Sequence, residues 1–202
     1  NALFLCGADQ NETAGVASVE AELYRARDIE TADTVSMRVL TTSGVEIVLA
    51  FSHATMEFKH PRMRLFCENA IANWKFEEGE TRIEHEDGKE ERLDNGDVDL
   101  ATLPFRNVIQ SIREGAELLC LPENSNSQTL CANGAHESCP EIAQIPASHV
   151  EEVSETNRDG VVDRFETIEG ISDLLDQTFE EGKLFSELGV AWARTASPFD
   201  LR

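Results

Sequence analysis

Histidine and arginine side chains at the ends of predicted strands have the chemistry to bind a polar ligand. His53 ends an apolar run, and Arg25 follows an alternating segment that ends at Tyr24. An imidazole donates or accepts a hydrogen bond, and a guanidinium presents a planar set of donors to hydroxyl or carboxylate groups. Asn133 and His136, on a weaker predicted helix, are two further candidates. We therefore predict that Arg25, His53, Asn133 and His136 contact a substrate.

Each of these residues also has a structural interpretation. His53 could cap the edge of a sheet beside the basic segment at 59–64, and a histidine more often has such a role than that of a ligand. Asn133 and His136 could cap or pack their own helix. The ionisable residues of the segment Arg25–Asp33 are expected to form a largely solvated connection between two strands.

Motifs for coenzyme binding and for covalent catalysis are missing from the sequence. No G-x-G-x-x-G follows a predicted strand, and neither G-x-x-x-x-G-K-[ST] nor G-x-S-x-G occurs. The pairs His85-Glu86 and His136-Glu137 do not continue into a zinc protease motif. We assign no catalytic residue and no cofactor-binding residue, and we expect this chain alone to bind NAD(P) weakly and to be inactive.

The five cysteines indicate free thiols rather than a disulfide framework or a metal centre. Their number is odd and no two are spaced C-x-x-C. Cys131 and Cys139 flank His136, but structural zinc sites bring their ligands in closer pairs. We predict buried or incidental thiols, no metal, and a reducing cytoplasmic setting.

An acidic surface excludes several classes of partner. The chain has 39 acidic and 17 basic residues and a net charge of -22. Nucleic acids and anionic membranes require a basic surface, so neither is expected as a partner. Apolar stretches such as Val45–Ala50 are far shorter than the roughly 20 residues of a membrane span. The acidity suits a salty cytoplasm, and an ordinary acidic bacterial protein is an equal alternative.

A predicted hairpin positions His53 at the end of a sheet. Two β-rich runs, Thr34–Thr42 and Val45–His53, flank Ser43-Gly44, which we interpret as a two-residue turn. That turn would place Arg38 opposite Leu49, Ser36 opposite Phe51 and Thr34 opposite His53. Both faces of the hairpin would then be apolar. One face would be covered by helices, and the other would form a homodimer or a larger homo-oligomer that tightens as salt screens the charge.

The remaining pattern is that of a strand-rich half followed by a helix-rich half. Further strands are predicted at Arg62–Glu68, Ala70–Glu77, Glu80–Glu86 and Lys89–Leu93, with Trp74 opposite Ile83. Helical spacing follows from Thr102 to Gly115, from Pro122 to about Ser138, and from Ile168 to Trp192. We predict an α+β fold in which a large, mostly antiparallel open sheet has helices packed on one face.

The chain is expected to form one domain, residues 1–202. Residues 1–7 are predicted to be the end of a helix that begins upstream, closed by Gly7. Residues 16–95 would form the β-meander, and residues 102–202 would be mainly helical.

Several strings of this sequence resemble a known enzyme family. They are the opening Asn1–Gly7, the segments Val19–Arg25 and Ile29–Thr34, Ser52–Thr55, and the closing Glu181–Gly189 with Trp192. On these strings, which span nearly the whole chain, it resembles the C-terminal domain of the glucose-fructose oxidoreductase and inositol dehydrogenase family of NAD(P)-dependent oxidoreductases. None of them is a catalytic signature.

The resemblance implies a two-domain enzyme. An N-terminal Rossmann domain would hold NAD or NADP, and this domain would line the site of a sugar, polyol or related hydroxylated substrate and form subunit contacts. The family's catalytic lysine, aspartate and histidine have no matching position here. The alternative is a non-enzymatic ligand-binding or dimerisation module with the same sheet. An upstream coding region for a Rossmann fingerprint would distinguish the two.

Overall fold

Eleven strands and four α-helices make up the computed structural model, which describes residues 1–9, 12–94, 96 and 99–201. The strands are β1 Val16–Arg25, β2 Thr34–Thr41, β3 Glu46–Ser52, β4 Arg62–Phe66, β5 Ala70–Lys75, β6 Glu80–His85, β7 Glu90–Asp94, β8 Ala143–Gln144, β9 Val150–Thr156, β10 Val162–Ile168 and β11 Phe199–Asp200. The helices are α1 Ala2–Leu5, α2 Leu103–Glu114, α3 Pro122–Ser138 and α4 Ile171–Glu181.

The strands belong to three sheets. Residues 1–57 and 122–202 form a first compact unit, and residues 58–121 form a second. The first unit holds a sheet of order β11-β1-β2-β3, to which β8 adds in parallel beside β1, and a separate β9-β10 hairpin. The second unit holds a four-stranded antiparallel sheet of order β4-β5-β6-β7. The α+β class and the mostly antiparallel pairing are confirmed, whereas the sequence predicted one large sheet.

The β2-β3 register differs from the predicted one by a single residue. Met37 lies opposite Leu49, Val35 opposite Phe51 and Thr34 opposite Ser52. The turn is one residue longer than predicted, because Gly44, at φ 89°, adds a left-handed residue to the turn. The β6-β7 and β9-β10 turns also have three residues, the last of which is a left-handed glycine, Gly88 or Gly160. The prediction that both hairpin faces are alike in apolar character is therefore corrected: one face is wholly apolar, whereas the other mixes polar side chains with Leu40, Val48 and Ala50.

Helices cover the five-stranded sheet on both faces, which corrects the expectation of a single helical layer. The apolar face of β1 and β2 forms a buried cluster with Cys131 and Ala135 of α3. Tyr24 lies on the opposite face, because alternate residues of a strand point to opposite sides, and it packs with Ile171 of α4 and with Phe185. The second layer arises because the chain after α4 folds back over β1.

The predicted strands and helices of the second half agree with the structure in part. Helix α2 begins after Thr102 and ends at Gly115, as predicted, and α3 has its predicted bounds. The apolar stripe from Ile168 to Trp192 was predicted to be helical. Only α4, Ile171–Glu181, is a helix, and the residues after Gly182 form turns. The hairpin β9-β10 lies within residues 102–202, which the sequence predicted to be mainly helical.

Two local predictions are corrected by the turns that follow them. Trp74 lies opposite Thr81 rather than Ile83, because Phe76–Glu78 forms a 3-10 turn that lengthens the connection. Helix α1 ends with Cys6 as its cap, and Gly7 does not have a positive φ. The strands β1 to β7 lie between Val16 and Asp94, divided between two sheets, and Asn95, the last residue of the predicted meander, lies outside the described residues.

Candidate functional site

Arg25 and His53 lie at the same end of the five-stranded sheet. Tyr24 and Ser52 both pair with Thr34, one from each side of β2. Arg25 and His53 are the residues that follow each of them, so they stand on either side of the start of β2. The pairing of the strands therefore brings these two predicted substrate contacts to one edge.

Hydrogen bonds fix the guanidinium of Arg25 in place. Its Nε donates to Oε1 of Gln144 at 3.0 Å, and Nη1 donates to the backbone oxygen of Ile29 at 2.7 Å. The amide nitrogen of Gln144 donates in turn to the backbone oxygen of Ala26 at 3.0 Å. Arg25 is half-buried, so the guanidinium is positioned but still accessible.

His53 is an exposed residue on a fixed backbone. Its ring lies edge-on to Phe51, with centroids 6.2 Å apart. Its backbone nitrogen donates to the backbone oxygen of Asp33 at 2.7 Å. An accessible imidazole on a held backbone can donate or accept a hydrogen bond to a ligand.

Asn133 and His136 lie on the exposed side of α3. Cys131 and Ala135 take the buried side of that helix, facing the sheet. Asn133 and His136 are three residues apart on the helix, so they are neighbours on one face. Within the part of the chain that the structure describes, no hydrogen bond or ion pair joins them to Arg25 or His53.

Asp33 is a buried residue at this sheet end that sequence reasoning missed. It is 1% exposed, which corrects its assignment to a solvated connection. Its carboxylate accepts hydrogen bonds from the backbone nitrogens of Ala26 and Arg27 at 3.1 and 3.0 Å. The signal was an aspartate directly before a strand and after a polar loop, where its side chain can bind backbone amides.

A cleft of 280 Å³ adjoins the segment that follows His53. Its lining includes Thr55, Glu57, Thr167, Ser172 and Asp173. The segment is held there because the backbone nitrogen of Ile168 donates to the backbone oxygen of Ala54 at 3.0 Å. Hydroxyl and carboxylate groups in a cleft of this size suit a small ligand that is rich in hydroxyl donors, and they disfavour an anion.

A second buried carboxyl group lies under the segment that follows α4. Glu22 is 1% exposed and accepts hydrogen bonds from the Ser186 hydroxyl at 2.5 Å and from the Tyr24 hydroxyl at 3.1 Å. Burial raises the pKa of Glu22, and the hydrogen bonds from Ser186 and Tyr24 oppose that rise. Burial also raises the pKa of Tyr24. This cluster holds the segment against the sheet.

Neither a metal centre nor a membrane span is found among the residues that the structure describes. No group of three or more His, Cys, Asp or Glu side chains in those residues is arranged to hold a metal ion. Cys131 is buried, and burial raises the pKa of its thiol. None of the helices within residues 1–9, 12–94, 96 and 99–201 combines the length and hydropathy of a membrane span.

Solved oxidoreductases share the fold of this chain. UDP-N-acetylglucosamine 3-dehydrogenase of Acidithiobacillus ferrooxidans matches 60% of this chain with 39% of its own, at a TM-score of 0.53 and 20% identity. For an oxidoreductase of Thermotoga maritima, 39% of its chain matches 63% of this chain, at a TM-score of 0.51 and 19% identity. An oxidoreductase of Agrobacterium radiobacter was solved with NAD+, L-tartaric acid and magnesium. In that structure, 42% of the chain matches 63% of this chain, at a TM-score of 0.51 and 14% identity.

These matches show a similarity of fold. No family model matches the sequence, and no curated protein matches it. The matched part is about two fifths of the length of each of these oxidoreductases. The comparison thus shows that this chain shares its fold with solved oxidoreductases, as the resemblance implied.

Proposed function

We propose that this chain is the substrate-binding and oligomerisation domain of an NAD(P)-dependent oxidoreductase that acts on a sugar, a polyol or a related hydroxylated substrate. The observation that carries the proposal is the placement of Arg25 and His53 at one sheet end, on either side of β2, in a fold shared with oxidoreductases. The free cysteines suit the reducing cytoplasm, where we place the reaction.

In this proposal the residues of the chain bind and orient the substrate. The guanidinium of Arg25, already held by Gln144 and Ile29, offers its remaining hydrogen-bonding capacity to substrate oxygens. The imidazole of His53 donates to or accepts from a neighbouring hydroxyl. Asn133 and His136 are proposed as more distant polar contacts on α3. The nicotinamide of the bound coenzyme supplies hydride transfer, and an N-terminal Rossmann domain would hold it.

Kinetics of the full-length gene product test this assignment. A panel of sugars, polyols and their oxidised forms is assayed with NAD(H) and NADP(H). For the substrate that is turned over, Arg25→Ala and His53→Ala should raise KM or lower turnover and leave the coenzyme KM unchanged, because they remove substrate contacts only. Asn133→Ala and His136→Ala should have smaller effects in the same direction.

Arg158→Ala is the matched control, because Arg158 is exposed in the β9-β10 turn of the same unit. Wild-type kinetics for both Arg25→Ala and His53→Ala would remove them from the site. A full-length product that binds hydroxylated ligands but neither coenzyme would favour the non-enzymatic module.

The oligomerisation role is supported by the second unit. None of the described residues between 58 and 121 is buried, and Phe58, Phe66, Phe105 and Ile112 are each more than 70% exposed. A four-stranded sheet without a buried side chain needs cover from another surface. We propose that a second copy of the chain supplies it, with the N-terminal domain as the competing cover.

Sedimentation velocity of the full-length protein tests the assembly at low and high salt. We expect a dimer or larger oligomer that tightens at high salt, because screening weakens the repulsion between subunits of net charge -22. A monomer at micromolar concentration under both conditions would contradict the proposal.

A further inference from the structure

We propose that Asp33 is the positioning residue of the candidate site, and that its one buried carboxylate fixes both the backbone that carries Arg25 and the turn that carries His53. The link to substrate binding rests on the proposed function. The hydrogen bonds that carry the inference are a property of this chain alone.

On the Arg25 side, Asp33 closes the connection between β1 and β2. The backbone nitrogen of Ala26 lies 3.1 Å from each carboxylate oxygen, and that of Arg27 lies 3.0 Å from Oδ2. The backbone nitrogen of Asp33 donates to the backbone oxygen of Tyr24 at 3.0 Å. The peptides on both sides of Arg25 are therefore tied to Asp33, which sets where the arginine side chain leaves the sheet.

On the His53 side, a chain of hydroxyl groups leads from the same carboxylate to the turn. Oγ1 of Thr34 donates to Oδ1 of Asp33 at 2.9 Å and lies 2.8 Å from Oγ of Ser52. The backbone nitrogen of Ala54 donates to Oγ of Ser52 at 3.0 Å. His53 lies between Ser52 and Ala54, and its own backbone nitrogen donates to the backbone oxygen of Asp33 at 2.7 Å.

The direction of this chain follows from the donors available. The carboxylate of Asp33 is the acceptor, so the single hydroxyl proton of Thr34 is used toward it. Ser52 must then donate to Thr34, and its oxygen is left to accept from Ala54. Each hydroxyl accepts one bond and donates one, an arrangement in which neighbouring hydrogen bonds strengthen each other. Removal of the Thr34 hydroxyl therefore disconnects Ser52, and the turn that carries His53, from the carboxylate of Asp33.

A matched pair of variants at Thr34 tests the role in the full-length enzyme. Thr34 is fully buried, and Thr34→Val keeps its shape while removing the hydroxyl. Thr34→Ser keeps the hydroxyl and removes the methyl group. We expect Thr34→Val to lower kcat/KM for the substrate about tenfold, because small misplacements of binding groups are costly. Thr34→Ser should restore most of it, and the coenzyme KM should not change in either variant.

A role in packing alone predicts the opposite order, with Thr34→Val close to wild type and Thr34→Ser impaired. That order, or wild-type kinetics in both variants, would overturn the proposal. Asp33→Asn, which turns an amide N–H toward the donors of Ala26 or Arg27, should impair the enzyme more than Thr34→Val does.

Hydrogen exchange separates this proposal from the proposed function. In the full-length protein, the peptide over residues 50–57 should exchange faster in Thr34→Val than in wild type and Thr34→Ser, because Ser52, the acceptor of the Ala54 amide, loses the Thr34 hydroxyl that orients it. If no substrate is turned over, the proposed function fails, and this exchange pattern alone still supports Asp33 as the group that positions His53. Equal exchange in all three proteins would overturn it.

Discussion

Ser186→Ala tests how the buried carboxyl group of Glu22 is held. Oε1 of Glu22 accepts from the Ser186 hydroxyl at 2.5 Å, and the backbone nitrogen of Ser186 lies 3.2 Å from Oε2. The hydroxyl of Tyr24 donates to Oε2 at 3.1 Å. The substitution removes one of these three donors and leaves the backbone unchanged, so it isolates the contribution of one hydroxyl.

The free energy of unfolding that Ser186→Ala removes is expected to depend on pH. Burial raises the pKa of Glu22 above its ordinary value of 4.5, so its favourable contribution to stability is complete below pH 4.5 and is lost as pH rises through the folded-state pKa. The hydrogen bond from Ser186 lowers that pKa, so its removal raises the pKa further. We expect Ser186→Ala to cost about 1 kcal/mol below the folded-state pKa, where the bond is to a neutral carboxyl, and about 2 kcal/mol above it, where the bond is to a carboxylate.

Urea unfolding measures this difference when Trp192 is the only fluorescent tryptophan. Its ring centroid lies 4.9 Å from that of Tyr24, so it reports on this cluster, and a Trp74→Phe background removes the other tryptophan. Ser154→Ala is the control, because Ser154 is exposed on β9. An equal loss below and above the folded-state pKa of Glu22, or a loss no larger than that of the control, would refute the reasoning.

Two further substitutions have outcomes that follow from packing. Thr178→Val should raise the free energy of unfolding by about 1 kcal/mol, because Oγ1 of Thr178 is buried without a hydrogen-bond partner among the described residues; a loss of stability in urea unfolding would contradict this. Gly134→Leu should lower it by about 1–3 kcal/mol, since a Cβ at Gly134 would already lie 3.1 Å from Leu201 and 3.2 Å from Val19. An unchanged unfolding midpoint would show that α3 can move away from β1.

The strands and helices were predictable where their signals are local. The periodicity of β1 to β7, the cap at Thr102 and the glycine at 115 each depend on a few neighbouring residues, and the structure has these elements close to their predicted bounds. Registers were less predictable, because the dipeptide Ser43-Gly44 is compatible with a two-residue and a three-residue loop. The three-residue loop places glycine in the left-handed conformation and shifts every cross-strand pair of the hairpin.

The layers on the sheet could not be predicted from β1 alone. Glu22 and Tyr24 alternate with apolar residues and therefore indicate a strand with one solvated face. Both are buried because the segment around Phe185 and Ser186, more than 160 residues away in the chain, lies on that face. Its own sequence continues an apolar stripe past Gly182, which predicted a helix rather than the turns that supply the cover.

The candidate site shows the same dependence on residues that are distant in sequence. The positions of Arg25 and His53 at one sheet end were predictable, because each lies at the end of a strand whose pattern is local. Asp33 was not, because an ionisable residue in a polar loop is most often solvated. Its burial requires that the loop fold back so that its own amides, and the hydroxyl of Thr34, replace water around the carboxylate. The guanidinium of Arg27, whose Nε lies 3.4 Å from Oδ2, pairs with the same carboxylate, and a buried charge costs less when it is paired and hydrogen-bonded. Asp33 directly precedes β2 and is followed by the hydroxyl residue Thr34, and this local pattern is what supplies the buried carboxylate with its hydrogen bonds.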